Sequence, residues 1–287
     1  MTPSDNTLTD SNFQYLVGYI QQACGLVLQK NQIYLLENRL MPIMRQDNIS
    51  TLNDVVDLLK KQGSSFGQAL IEALVTHESS FFRDKKIFDF FTQEILEKLY
   101  TNGSPLAPIN IWSAACSSGQ EPYSIAMLIQ EFARKTNPLT LTPISSSMCN
   151  ILATDISKKI LDKAQEGSFS HFEIQRGLPA MLLIKYFKKN DNSWMISNEL
   201  KELIKFEKYN LTQPQKIITQ TFNVIFCRNV LIYFNEQDKV KVIQRLHNHL
   251  KSGGYLILGS SEFILQNQTN QLTLTAVKDF PGIYQKA

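Results

Sequence analysis

The sequence is poor in the features that mark several functional classes. Its four cysteines, Cys24, Cys116, Cys149 and Cys227, are far apart and form no C-x-x-C pair. That pattern fits neither a disulfide frame nor a zinc site, and reads as reduced thiols of a cytoplasmic protein with no metal. No apolar run approaches the ~20 residues of a membrane span, so membrane insertion is not expected. The start, Met1-Thr-Pro-Ser-Asp-Asn6, has neither the basic nor the apolar region of a secretory leader. Charge of one sign is scarce too: 29 Lys and Arg against 26 Asp and Glu leave a net +3, too little to imply nucleic acid. Both phosphate-cradling fingerprints, G-x-x-x-x-G-K-[ST] and G-x-G-x-x-G, are missing. What remains is a 287-residue chain, 43% hydrophobic, able to bury a core and long enough for about two domains.

The chain is organised around Asn110-Ile-Trp-Ser-Ala-Ala-Cys-Ser-Ser-Gly-Gln-Glu-Pro-Tyr-Ser-Ile-Ala-Met-Leu-Ile129. A short apolar run passes through small residues and becomes helical, with Ile125, Ala126, Leu128 and Ile129 on a helical period. Strand, tight turn, helix is the layout in which an open α/β sheet binds a nucleotide-like ligand at the carboxyl ends of its strands. Small side chains let backbone approach the ligand, and Gly119 tolerates unusual φ. Glu121 and Pro122 suit the first turn of the helix. An acid where a pyrophosphate would sit favours a ligand with hydroxyls or positive charge, and S-adenosylmethionine (AdoMet) has both. An ordinary strand-to-helix turn is the competing reading.

Upstream, periodicity predicts five helices: from Asp10 to Gly25, from about Gln32 to Met44 with Pro42 kinking or interrupting it, one capped by Thr51, one over Phe66–Leu74, and Lys85–Tyr100 starting at Asp84. Residues up to about Leu8 read as a disordered lead-in. Residues 1–100 thus form a helical domain and the turn-rich 101–108 a linker. From 109 to 287 strand and helix alternate, which implies an α/β domain with a mostly parallel sheet covered on both faces. Strands are predicted at Ile109–Ser113, Asn150–Thr154, Lys205–Tyr209, Phe222–Phe226, Tyr255–Gly259 and Leu272–Val277. Helices fall at about 121–134, 157–166, 176–188 and 236–250, and Asn137–Met148 reads as a surface loop. Phe169–His171 and Ser193–Ser197 alternate weakly enough for a small side sheet.

Other positions fit the same ligand. Asp155, at the carboxyl end of its strand, can accept both ribose hydroxyls or simply cap the helix beginning at Ser157. Asn210 and Leu211 either meet an adenine edge or begin a loop. Phe226-Cys-Arg-Asn-Val-Leu-Ile-Tyr-Phe234 ends the central strand, where the reacting group belongs, and lacks the Asn-Pro-Pro-Tyr of nitrogen methylases. Val75-Thr-His-Glu-Ser-Ser-Phe-Phe-Arg83 lies between the fourth and fifth helices; alternatively Phe81 and Phe82 sit in the helical core with Arg83 solvated.

Ser79–Asp84, Trp112–Ser124, Ala153–Ile156 and Ile225–Phe234 together resemble the signatures of the CheR-type chemotaxis-receptor glutamate methyltransferases, and the likeness runs from Tyr34 to Lys286. It implies a helical N-terminal domain, a Rossmann-like AdoMet-binding domain and a small β-subdomain inserted around 168–200. It also implies transfer of methyl from AdoMet to glutamates on chemoreceptor helices; a monomer in the cytoplasm is expected. Carried over by position, His77, Ser79 and Arg83 close over the cofactor, and Ala115 and Glu121 are first-turn contacts, Glu121 near the methionine ammonium. Asp155 is then the ribose acid, Asn210 and Leu211 the adenine-side pair, and Arg228 and Asn229 the central-strand contacts. Tyr233 lies near the transferring methyl, and Arg83 holds either the acceptor or the cofactor carboxylate.

Two departures stand out. His77 and Ser79 occupy positions where many members have Asn and Thr. The docking helix, usually rich in Arg, keeps Arg39 and Arg45 with Met41, Pro42 and Ile43 between them, and the first hundred residues hold nine Lys and Arg against twelve Asp and Glu. Some members grip a receptor pentapeptide through a glycine-rich hairpin in the subdomain. Tyr186–Trp194 contains no glycine, so tether-independent docking through Arg39 and Arg45 is expected.

Overall fold

The protein is described by a computed structural model covering residues 8–287 except 63, 102–103, 106, 137–142, 215 and 266–270. The lead-in expected before Leu8 and the first half of the 137–148 loop lie outside the described residues. The remainder of that loop is docked: Ile144 is buried, and Gln130 bonds both its N–H and its carbonyl, at 3.0 and 2.9 Å.

Four helices pack around one apolar cluster: α1 (Asp10–Cys24), α2 (Ile33–Gln46), α3 (Leu52–Gln62) and α4 (Ser64–Leu74). On α1, Phe13, Leu16 and Ile20 repeat at helical spacing and are all buried, each worth ~1.5–3 kcal/mol. Thr51 and Asp54 cap α3 reciprocally. Helix α2 is continuous through Pro42, so of the kink or interruption expected there the interruption does not occur.

The fifth helix behaves differently from the sequence reading. It runs as α5 (Lys85–Phe90), a π-helical segment (Phe91–Leu96) and α6 (Glu97–Leu99). Its Ile87, Phe88, Phe91, Ile95 and Leu96 belong to the cluster under the sheet, not to the four-helix cluster. The expected division at residue 100 therefore separates a helix from the core it packs in. After it, β1 (Tyr100–Thr101) and β2 (Ser104–Pro105) pair where a free linker was expected.

The sheet collects β3 (Ile109–Ala114), β4 (Cys149–Asp155), β8 (Ile204–Lys208), β9 (Phe222–Cys227), β10 (Leu250–Leu258), β11 (Leu274–Ala276) and β12 (Ile283–Lys286), with α7 (Gln120–Thr136), α8 (Lys158–Glu166) and α12 (Glu236–His249) as connections. Strand order is β11-β12-β10-β9-β3-β4-β8. The five strands from β10 to the β8 edge are parallel, and β12 enters antiparallel between β10 and β11. The strand β12 was not predicted, because the charged end of the chain carries little alternation. Strand order reverses between β3 and β9, and a crevice at their carboxyl ends follows from that topology.

Between α8 and β8 lies the inserted unit: β5 (Ser168–Ser170), α9 (His171–Gln175), α10 (Ala180–Tyr186), β6 (Phe187–Asn190), β7 (Ser193–Ile196) and α11 (Asn198–Lys201). Its sheet is antiparallel in the order β5-β7-β6. The helix expected over 176–188 begins only at Ala180, because Gly177 turns with φ +91°. A Cβ at Gly177 would lie 2.1 Å from the Phe81 carbonyl, so only glycine permits this approach. Phe81 itself meets Phe169 and Phe187 edge-on at 5.0 and 5.8 Å. It belongs to the sheet-side core, not to the helical one.

Candidate active site

The first wall of the crevice is built by backbone. After β3, Ala115, Ser117 and Gly119 all have positive φ (60°, 51° and 93°), curling the chain over the end of β4. Two non-glycine residues in this region cost energy, and the return is positional. Cys116 N–H donates to the Thr154 carbonyl at 2.9 Å, and Ser117 N–H donates to Asp155 Oδ2 at 2.9 Å. Asp155 Oδ1 accepts from Ser157 N–H at 3.1 Å. The cap of α8 is Ser157, whose hydroxyl accepts from Ile160 N–H, so the helix-cap reading of Asp155 does not hold. Burial raises the Asp155 carboxyl above its ordinary range, while the backbone donors and His77 pull it back.

Glu121 lies in the first turn of α7 and receives Ser113 Oγ at 2.8 Å and Arg228 Nη1 at 3.0 Å. Arg228, its side chain 2% exposed, also donates to the Arg83 carbonyl and to Asp84 Oδ2, both at 2.7 Å, with Phe88 against its plane. Its guanidinium is thus turned into the protein, linking the residues after the Phe81–Phe82 pair to the acid of the first turn. Asp84, at the start of α5, has φ 61° and makes no cap bond; its carboxylate serves Arg228 instead.

The second wall comes from the helical domain. Cys24, Leu26, Leu74 and Val75 line the same pocket as His77, Ser79, Arg83, Ala115, Glu121, Asp155, Asn210, Leu211, Arg228, Asn229 and Tyr233. All ten residues expected to bind cofactor, and Tyr233 with them, are therefore brought together. Polar cross-ties hold the walls. Ser117 Oγ donates to the His77 carbonyl at 3.0 Å, Val27 N–H to the Tyr233 carbonyl at 3.1 Å, and Asn210 Nδ2 to the Ala23 carbonyl at 2.7 Å. Glu72 on α4 accepts from Lys158 N–H at 2.8 Å and from the Ser157 hydroxyl. Asn210 has its amide oxygen occupied by Thr212, through N–H and Oγ1, which leaves Leu211 as the apolar contact of that pair. Burial lowers the His77 imidazole, opposed by the carboxylates of Asp155 and Glu72.

Arg83 is half-buried in the pocket, and its guanidinium has no acidic partner among the described residues. Arg39 and Arg45 are not brought together. Six positions apart on α2, they project about 120° from one another. Arg39 is occupied by the Leu74 carbonyl and by Thr76 Oγ1 at 2.8 Å, whereas Arg45 is exposed at the helix end. A joint docking patch is not what this helix presents.

Sequence reasoning missed Ser117 and Asp84, whose partners are far along the chain, Ser113, which meets Glu121 eight residues on across the turn, and the Cys24–Leu26 wall, which carries no local signal. It also missed Glu262, 5% exposed, because an acid in a polar loop after a strand carries no local sign of burial.

The family described as CheR methyltransferase, SAM binding domain, matches residues 77–279, and the one described as CheR methyltransferase, all-alpha domain, matches 11–75. Three similar proteins span almost the whole chain. Chemotaxis protein methyltransferase 1 of Pseudomonas aeruginosa is 35% identical over 280 residues, covering 97% of this chain and 98% of that protein. Chemotaxis protein methyltransferase 1 of Vibrio cholerae is 34% identical over 282 residues, 98% of each. The chemotaxis protein methyltransferase of Borreliella burgdorferi is 32% identical over 273 residues, 94% of each.

Proposed function

This chain belongs to the CheR methyltransferase family, and from that premise we propose that it esterifies glutamate side chains on chemoreceptor helices in the cytoplasm. S-adenosylmethionine supplies an electrophilic methyl on a sulfonium. The residues present fit that group. Asp155 would hold the ribose hydroxyls, Glu121 the ammonium, and Leu211 the adenine side. The positive-φ turn at Ala115–Ser117 lets backbone come close.

The observation that carries the acceptor assignment is the Arg83 guanidinium, a pocket cation without an acidic partner among the described residues. Asp155 is met by backbone N–H groups and Glu121 by Arg228. Arg83 is left to grip an incoming carboxylate, for which a planar fork is suited. A glutamate side chain has an ordinary pKa of about 4.3, so it arrives ionised and needs no general base. The task of Arg83 and Tyr233 is then orientation: one carboxylate oxygen held in line with methyl and sulfur.

In this reading docking is independent of a pentapeptide tether. The hairpin joining β6 and β7 turns through Asp191 at φ 44°, with side chains where tethered members have glycine. The deciding experiment incubates the protein with radiolabelled AdoMet and receptor cytoplasmic fragments, with and without the C-terminal pentapeptide, then treats the product with alkali. Label released as methanol, equal in both fragments, is expected. Alkali-stable label would mean another acceptor chemistry, and cofactor binding without transfer would mean an adapter.

A further inference from the structure

The segment that carries Asn229 and Tyr233 leaves β9 through a left-handed residue. Asn229 has φ 58°, and a single 3-10 turn, Leu231–Tyr233, follows. Such a turn strands backbone N–H groups that no strand or helix partner satisfies. Here two of them converge on one side chain, together with the Gly259 N–H at the end of β10. Glu262 Oε2 accepts from Asn229 N–H and Gly259 N–H, both at 2.7 Å, and Oε1 accepts from Ile232 N–H at 3.2 Å.

Several observations separate this carboxylate from an ordinary loop acid. It is 5% exposed, and no Lys, Arg or His pairs with it among the described residues. Its compensation is backbone dipoles alone, an arrangement that favours a carboxylate when two or three N–H groups point at it. It spans two strand ends, since Gly259 follows β10 and Asn229 follows β9. Gly259 is required by it: a Cβ there would lie 2.8 Å from Glu262 Oε2 and 2.8 Å from Asn229 Nδ2. Glu262 does not line the pocket, whereas Asn229 and Tyr233 do.

We propose that Glu262 is the positioning residue of the transfer site: by gathering the N–H groups of Asn229 and Ile232 against Gly259, its carboxylate sets where Tyr233 stands in the pocket. The inference rests on the assignment of Tyr233 to methyl transfer. Val27 N–H holds the same turn from the other side through the Tyr233 carbonyl, so the tyrosine is pinned between the β10 end and the helical domain. Glutamate fits because one side chain offers two oxygens with four lone-pair sites. A glutamine of the same shape would turn an N–H₂ toward at least one of the three donors.

The test is a double-mutant cycle on the full chain with Glu262→Gln and Tyr233→Phe, read by single-turnover methyl transfer. It is joined to amide hydrogen exchange of peptides covering 226–236. Glu262→Gln should slow transfer at least tenfold, keep AdoMet affinity within about threefold and, within those peptides, speed exchange only at 229–234. If Glu262 works through Tyr233, the double variant should be no slower than the slower single one, because residues acting as one unit are not additive. Multiplying rate losses, or unchanged exchange at 229–234, would overturn the proposal. Should Tyr233→Phe alone leave the rate unchanged, the Tyr233 assignment fails as well, a result distinct from additivity. If Glu262→Gln does not fold, Glu262→Asp, which keeps the charge with a shorter reach, replaces it in the same cycle and is held to the same outcomes.

Discussion

The two walls of the pocket are made on different principles. The sheet wall is a set of sharp turns pinned from within: Cys116 and Ser117 by Thr154 and Asp155, Asn229 by Glu262, and the Arg83–Asp84 corner by Arg228. These anchors are buried and nearly fully bonded. The helical wall has its own core and meets the sheet through a few ties between the Ala23–Val27 and Glu72–Thr76 ends of its helices and the opposing turns. Buried, satisfied polar groups make a wall rigid, whereas a few part-buried or exposed hydrogen bonds between two separate cores hold less firmly. The sheet wall therefore depends on its internal anchors and the helical wall on its cross-ties.

The largest blow to this contrast should come from Arg228→Met. Removing the guanidinium strands Glu121 beside a half-exposed Asp84. Breaking one side of a buried ion pair costs 3–5 kcal/mol, so after allowing for the exposure of Asp84 a loss of about 3 kcal/mol is expected in urea unfolding. A loss below about 1 kcal/mol would show that the sheet wall does not depend on this linkage.

Next in size, Asp155→Ala should weaken AdoMet binding by roughly 1–3 kcal/mol, because its polar partners lose their acceptor. Titration calorimetry measures this, and unchanged affinity would remove Asp155 from the ribose role. Glu72→Ala touches the looser wall. It should cost about 1 kcal/mol of stability and reduce AdoMet affinity less than Asp155→Ala does; the reverse order of affinities would invert the contrast between the walls.

The smallest effect concerns pH. Burial holds His77 below its ordinary 6.5, with Arg39 and Lys159 acting in the same direction and Asp155 and Glu72 opposing. As pH falls, the unfolded chain takes up this proton first. Stability is therefore intact above about 6.5 and declines below it until His77 protonates in the folded state. His77→Asn should flatten Tm against pH between 7.5 and 5 without abolishing the slope, since His247 and His249 are lowered by burial as well. Parallel curves for the two proteins would count against it.

Much of this was legible in the residues. Trp112–Ser124 reads as strand, tight turn and helix because apolar spacing, small side chains and Pro122 act over a few neighbours. Asp155 and the Phe226–Phe234 stretch stood out for the same reason, since each ends an apolar run with polar residues. The misreadings occurred where a partner is distant. The apolar face of Lys85–Tyr100 shows that the helix is buried but not against which core. Arg39 is taken by the end of α4, Arg228 by acids more than a hundred residues away, and Asn210 by α1.

The sequence by itself determined the alternation of elements, the residues that end each strand, and through four ordered motifs the resemblance to a methyltransferase family. Periodicity and turn chemistry are local, so they can be read without coordinates. Only the tertiary structure decided which charges are spent inside the protein and which remain for a ligand. Arg228 and Arg83 are both arginines beside short apolar stretches, and nothing nearby in the chain separates them. Packing does: it buries Arg228 between Asp84 and Glu121 and leaves Arg83 facing the pocket without an acidic partner among the described residues.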